Sequence, residues 1–386
     1  MKEGWEYKTL GEVSRFISDG DWIEKKDQSL SGIRLVQTGN IGIGEYKDKP
    51  NNAHFISEDT FKRLKCTEIF ENDILISRLP EPIGRTCIIP KLKTRMITAV
   101  DCSIVRLKED IILSEWFKYY TMSDKYFRQI KEESSGTTRQ RITRKKLEKF
   151  NIPITTLDEQ RRIVSYLDSS FKLIDEIKNK ALKSLTEAKA LFQSALAEAM
   201  EPKEGWEEKT FGEICTYHKE QKRENGYKYI GMENIESGTG NLIGYGATDN
   251  VLSSTFFFKK GEVLYGRLRP YLKKVYIAEF DGCCSTEIFP IKTNGVLSGL
   301  IKYWFLTDEI TNKINDTSAG CRMPRGNMNE VLQFHLYIPS DKQSQMQIVS
   351  HLDKLSSKVR AIEEKYQKMV EECDALKQAM LRDVFE

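Results

Sequence analysis

The chain repeats itself, and this constrains its fold more than any other feature. Glu3-Gly4-Trp5-Glu6-Tyr7-Lys8-Thr9-Leu10-Gly11-Glu12-Val13-Ser14-Arg15-Phe16 returns as Glu204-Gly205-Trp206-Glu207-Glu208-Lys209-Thr210-Phe211-Gly212-Glu213-Ile214-Cys215-Thr216-Tyr217, with eight of fourteen positions identical. Gln160-Arg161-Arg162-Ile163-Val164-Ser165-Tyr166-Leu167-Asp168 is echoed by Gln345-Met346-Gln347-Ile348-Val349-Ser350-His351-Leu352-Asp353. Between them lies a weaker echo, Asp73 to Leu79 against Glu262 to Leu268. The first anchor recurs at an offset of 201 and the second at 185, so the second globular unit is 16 residues shorter. Two copies of so long a unit indicate a duplicated domain, not a solenoid. Matched ends around divergent middles suggest two binding surfaces on one frame, aimed at different targets. At 386 residues the chain has room for both, each with a full core.

Residues 3 to 156 and 204 to 340 contain short apolar runs broken by Gly, Asn, Asp and Pro, such as Ile33 to Val36, Asp73 to Ile76, Thr86 to Ile89 and Lys274 to Ile277. They read as strands and turns. Segments 114–131 and 298–314 read as short helices on the sheets. Beyond each globular part lies a long helical stretch. From Leu352 the apolar residues step by three and four through Leu355, Val359, Ile362, Tyr366, Met369, Cys373, Leu376 and Met380, a heptad seam. The earlier stretch carries Ile163, Leu167, Ile174, Ile177, Ala181, Leu185, Ala188, Leu191 and Ala195 before Pro202 and Gly205 stop it. Each helix is about 40 residues, or roughly 60 Å at 1.5 Å per residue. A narrow seam that long is too extended to bury on one small domain, so the helices should pair with each other. The first helix ends where the second domain begins, and the second helix starts where that domain ends, so the pair should be antiparallel. The expected architecture is α+β: two mixed α/β domains joined by two long antiparallel helices in a coiled coil, pseudo-two-fold symmetric. The expected divisions are 1–156, first domain; 157–200, first helix; 201–341, second domain; and 342–386, second helix.

Several function classes drop out. There is no G-x-x-x-x-G-K-[ST] for ATP and no Gly-rich strand-to-helix loop for a dinucleotide or S-adenosylmethionine. The eight cysteines form no CxxC pair and the four histidines have no zinc spacing, so reduced, mostly buried thiols are expected, with no metal. Asp73, Glu81 and Asp101 could be imagined as a nuclease cluster, but only Asp73 has a counterpart, Glu262, and both read as turn residues before a strand. Met1 to Trp5 lacks the apolar region of a signal peptide and no run approaches a membrane span, so a cytoplasmic, non-catalytic protein is expected.

A net charge of +3 is too small to argue nucleic-acid binding, so the case must be local. Thr137-Thr138-Arg139-Gln140-Arg141-Ile142-Thr143-Arg144-Lys145-Lys146 holds five cations and no acid in ten residues. Its counterpart in the second half holds Arg322, Arg325 and Asn327. A second basic stretch, Lys259 to Lys274, contains Arg267, Arg269 and Tyr271 and has Glu262 as its only acid, while the corresponding part of the first half holds Arg78 and Arg85. Gln37, Thr38 and Asn40 sit opposite Glu233 and Asn234, where turn formation explains them equally well. Arginine can fork onto guanine or phosphate, and Thr, Gln and Asn can bond base edges or backbone. Recurrence at equivalent places of both halves favours DNA over a merely solvated basic face.

These residues resemble a known family end to end. Gly4-Trp5 through Leu10-Gly11-Glu12-Val13, Gly136-Thr137-Thr138, Ile152-Pro153, Leu157-Asp158-Glu159-Gln160, then Ile163-Val164 and Leu167, all in duplicate order, resemble the specificity subunit of type I restriction–modification systems. The second half departs from the pattern at Ile338 to Gln343 and at Gly320-Cys321-Arg322. The resemblance implies that each domain reads one half of a split site in double-stranded DNA while the helices fix the gap. It also implies two modification subunits that use S-adenosylmethionine and two ATP-dependent, Mg2+-requiring restriction subunits, with no cofactor on this chain. The contrasting reading is a coiled-coil scaffold with two protein-binding domains and no DNA function.

Overall fold

The computed structural model describes residues 4–91, 94–135, 140–221, 226–318 and 322–386. It divides into two compact units, Met1–Lys180 with Met369–Glu386, and Ala181–Lys368. Each globular domain thus groups with the stretches of both long helices that pack on it.

In the first unit the chain opens with strand Glu6–Thr9, paired antiparallel with Asn151–Ile154, so both ends of the globular part meet in one ribbon. A four-stranded antiparallel sheet follows, in the order Ser14–Asp19, Cys102–Leu107, Ile74–Ser77, Thr86–Ile88. A five-stranded sheet contains one parallel pair, Ile33–Val36 with Met96–Thr98. The second unit repeats the plan. Trp206–Thr210 pairs with His335–Pro339, and a four-stranded sheet runs Cys215–Tyr217, Ile288–Thr293, Val263–Gly266, Val275–Ile277. Its other sheet has the parallel pair Lys228–Ile230 with Gly282–Ser285. The edge strand Gln28–Ser29 and helix Glu58–Leu64 of the first unit have no evident counterpart among the described residues of the second. These elements fall in the divergent middle.

The identical residues of the repeat have local causes. Thr9 and Glu12 form a capping box around a single helical turn, with the Thr9 amide donating to Glu12 Oε2 at 2.7 Å, and Thr210 and Glu213 repeat it. The Gly11 amide donates to the Glu148 carbonyl at 2.9 Å and that of Gly212 to the Leu332 carbonyl at 2.9 Å. A Cβ would stand 3.3 Å and 3.1 Å from those oxygens, so glycine permits the approach.

Segments 114–131 and 298–314 each form two helices, not one. Ser114–Thr121 gives way to Asp124–Glu133 at the Ser123 cap, and Ser298–Leu306 to Asp308–Asp316 at the Thr307 cap. The first core gathers Trp116, Phe117 and Tyr120 with Leu167 and Phe171 of the first long helix and Leu381 and Phe385 of the second. The second core gathers Phe211, Tyr303 and Phe305 with Phe192, Leu196, Leu352 and Val359.

The long helices span Leu157–Met200 and Lys342–Phe385. In the first unit Lys178 meets Asp374 at 2.6 Å and Asp175 meets Lys377, so the helices run antiparallel there. The heptad seam holds at its seven-spaced positions, with Leu352, Val359 and Cys373 of the second helix and Leu167, Ile174 and Ala181 of the first all buried, but it is narrower than the spacing suggests. Ile362 and Leu376 are 41% and 51% exposed, and Ile177 and Leu191 are also exposed. Phe171, Phe192 and Leu196 are buried instead. From Leu352 to Leu381, both fully buried, is about eight turns at 3.6 residues each. Residues seven apart therefore stay on the packed face, while the positions between them turn outward.

Candidate nucleic-acid interface

Four loops meet at one end of the first four-stranded sheet. The Arg78 amide donates to the Asp101 carbonyl at 2.9 Å, and the Ile142 amide donates to the Arg78 carbonyl at 3.3 Å. Arg85 reaches across to the Gln37–Ile41 turn, with Nε on the Ile41 carbonyl at 2.6 Å and Nη2 on the Thr38 carbonyl at 2.9 Å. Gln37, Thr38, Arg78, Arg85, Gln140 and Arg141 therefore share one neighbourhood although they are scattered in sequence.

The second unit builds the same junction. The Arg267 amide donates to the Glu287 carbonyl at 2.9 Å, and the Gly326 amide donates to the Arg267 carbonyl at 2.9 Å. Lys274, at the position of Arg85, sends Nζ to the Met232 carbonyl and so holds the turn that carries Asn234. The Gly238 amide donates to the Lys273 carbonyl at 3.3 Å.

Burial sorts the candidate residues. Arg85 is buried and also bonds the Pro82 carbonyl at 2.9 Å, while buried Arg78 pairs with Asp19 at 2.9 Å and donates to the Val100 carbonyl. These two arginines tie loops together in this structure. Asn40 accepts the Gln37 amide at 3.0 Å and Asn234 accepts that of Gly231 at 2.8 Å, so each closes its own turn. Asn327 caps a helical turn by accepting the Asn329 amide at 3.2 Å. In these three places turn formation is what the side chain does.

A second group is charged but compensated. Arg141 meets Asp101 at 3.2 Å. In the equivalent place Arg325 meets Glu287 at 2.9 Å, and Arg267 shares that carboxylate at 3.1 Å. Burial would raise the Glu287 carboxyl, but the Arg325 hydrogen bond and both guanidinium charges outweigh it and hold the carboxyl below its ordinary range. Asp101 thus serves an ion pair. Asp73 and Glu262 are turn residues as expected, accepting the amides of Phe70 and Lys259 at 2.9 Å each.

The third group is exposed. It comprises Gln140, Arg269, Tyr271 and Arg322, with Gln37 and Thr38 half-buried. Thr137, Thr138 and Arg139 lie outside the described residues.

A family model for the type I restriction modification DNA specificity domain matches residues 2–187 and again 203–372. The chain belongs to this family. It is 28% identical over 159 residues to the Escherichia coli type I restriction enzyme EcoDI specificity subunit, covering 41% of this chain and 35% of that one. It is 25% identical over 204 residues to the MjaVIII specificity subunit of Methanocaldococcus jannaschii, covering 51% and 46%. The matched stretches therefore span less than half the length of these curated relatives. Among solved structures, a chain from a study of complex assembly and conformational transition of the type I R-M system superposes with a TM-score of 0.77 at 17% identity, over 100% of this chain and 98% of that one. The HsdS subunit from Thermoanaerobacter tengcongensis gives 0.52 at 17% identity, over 100% and 97%. These two show the shared fold.

Reading the sequence missed several residues that hold the two specificity domains onto the long helices. Gln160 and Gln345, in the repeated anchor, are buried and bond the Leu113 and Leu297 amides at 3.0 Å each. Tyr119 donates to Asp168 and Tyr303 to Asp353. Asp168 and Asp353 lie in that anchor too, so their recurrence was the available signal. None of the described helices is long and apolar enough to cross a membrane.

Proposed function

We propose that this chain is the DNA sequence-specificity subunit of a type I restriction–modification complex. Each specificity domain reads one half of a bipartite site in double-stranded DNA, and the long helices set the gap between halves. Two modification subunits bring S-adenosylmethionine, and two restriction subunits bring ATP and Mg2+. This chain contributes no catalytic group and works in the cytoplasm beside them. The observation that carries this reading is the family match over both halves, together with the same four-loop junction in each domain. A row of exposed apolar side chains on the first long helix, Tyr166, Leu173 and Ile177, supports a role for the helices in docking the modification subunits.

The test is methylation mapping of host DNA with and without the gene, paired with binding of the assembled methyltransferase to specific and random duplexes at several salt concentrations. A methylated bipartite motif that disappears with the gene is expected, with log K falling several units per log unit of salt. An unchanged methylation pattern with salt-insensitive binding would refute DNA reading and favour a protein scaffold. Seven residues inserted into both helices, near Ala181 and Tyr366, should lengthen each by roughly 10 Å and widen the preferred gap. An unchanged gap in an intact complex would refute the spacer role.

A further inference from the structure

The segment that joins strands Val263–Gly266 and Val275–Ile277 is held in an unusual way. Arg269 and Lys273 both adopt left-handed backbone, with φ of 53° and 48°, on either side of the short helical turn Pro270–Leu272. For residues with a Cβ this conformation persists only where the surroundings impose it. Here they do. The Arg269 amide donates to the Pro324 carbonyl at 2.7 Å, and the Leu272 amide returns to the Arg269 carbonyl at 2.9 Å. Lys273 Nζ is tied to Gln193 Oε1 and the Leu306 carbonyl at 3.0 Å each, and to Asp308. Pro270 is buried, with Gly326 beside it.

What this stapled turn presents is a guanidinium and a phenol ring. Arg269 is exposed and, among the described residues, has no carboxylate at ion-pairing distance, unlike Arg267 and Arg325 beside it. Tyr271 is 53% exposed. The corresponding segment of the first domain carries Pro80, Glu81 and Pro82 between two buried arginines, so it offers no free guanidinium. Gripping a phosphate requires only a long cation, whose flexibility does no harm. Reading a base edge requires a side chain launched from a fixed place in a fixed direction, which an over-determined turn supplies.

We propose that Arg269 is a specificity-determining residue of the second domain. It forks onto O6 and N7 of one guanine in the major groove, Tyr271 lies against the neighbouring base, and exposed Arg322 holds backbone phosphate. This rests on the DNA-reading function proposed above and assigns one base pair of the second half-site to a named side chain.

The experiment uses the assembled methyltransferase and, once the site is mapped, duplexes altered one base pair at a time across both half-sites. Arg269→Asn removes the guanidinium with a residue that tolerates left-handed backbone, and Arg269→Lys keeps the charge. The Asn variant should bind the cognate duplex ten- to a hundred-fold more weakly and become indifferent at a single G·C pair of one half-site. Every other position should keep its wild-type penalty, and the Lys variant should retain part of the discrimination. Uniform loss on cognate and random duplexes, with a salt slope smaller by about one, would make Arg269 a phosphate contact and overturn the proposal. Unchanged binding, or a half-site without G·C, would overturn it as well. Failure of the broader function reads differently, as a wild-type complex without preference among duplexes.

Discussion

The buried side-chain oxygen of Gln160 accepts the Leu113 amide at 3.0 Å, binding the first turn of a 44-residue helix to the loop before Ser114–Thr121. Its amide nitrogen donates to the Ile111 carbonyl at 3.0 Å and the Thr155 carbonyl at 2.8 Å. Gln345 repeats the device, with Nε2 on the Pro339 carbonyl at 2.9 Å. Gln160→Ala should therefore cost about 1–3 kcal/mol for a buried group left unpaired. Gln160→Glu should also destabilise at neutral pH, because a carboxylate cannot donate to the two carbonyls. Thermal unfolding checks this. A melting temperature within a degree of wild type for both variants would show that the contact does not contribute.

Arg85 should behave as a structural residue. Arg85→Met keeps the bulk but strips partners from the Thr38, Ile41 and Pro82 carbonyls, which should lower stability by about 2–3 kcal/mol. Urea unfolding measures the loss, and binding at several salt concentrations below the transition should give the wild-type slope. A variant of full stability whose slope is smaller by one would place Arg85 on a phosphate.

The Glu287 carboxyl supplies a pH signature. Its pKa is depressed in the folded state, so its stabilisation is present above the unfolded value near 4.3 and is lost as pH falls through the lower folded value. Glu287→Gln should be less stable than wild type at pH 7, and the gap should close below about pH 4. Urea titrations from pH 7 to about pH 3.5 test this. A gap that stays constant over that range would rule out the ion pairs with Arg267 and Arg325 as its source.

The thiols should be inert. The seven described cysteines are buried, and burial pushes Cys66 and Cys102 up to about 11 and Cys87 and Cys215 up to about 12. In a Cys321→Ser variant, which removes the thiol outside the described residues, a thiol reagent at pH 8 should modify the native chain only at the rate of its unfolding. Rapid stoichiometric labelling would contradict this burial.

Much of the architecture was legible because it is written in local, repeated chemistry. The capping boxes of Thr9–Glu12 and Thr210–Glu213 depend on residues three apart, so the motif that announces the repeat also builds its element. The outward turn of Ile362 and Leu376 was not legible, since three-four spacing names the candidate positions and not which of them a partner covers. Only the partner surface chooses between them.

The candidate interface divides along the same line. Two domains, a long helix after each, and cations clustered at equivalent places in both halves can all be read from the order of the amino acids. Which of those cations face solvent is settled only by folding. Arg78, Arg85, Arg269 and Arg322 are alike as letters, yet two are buried against carbonyls and a carboxylate and two stand in solvent. The physical reason is that a guanidinium's availability depends on acceptors brought near it by strands distant in sequence. Asp19, Ile41 and Val100 reach Arg78 and Arg85 only once the sheets have formed.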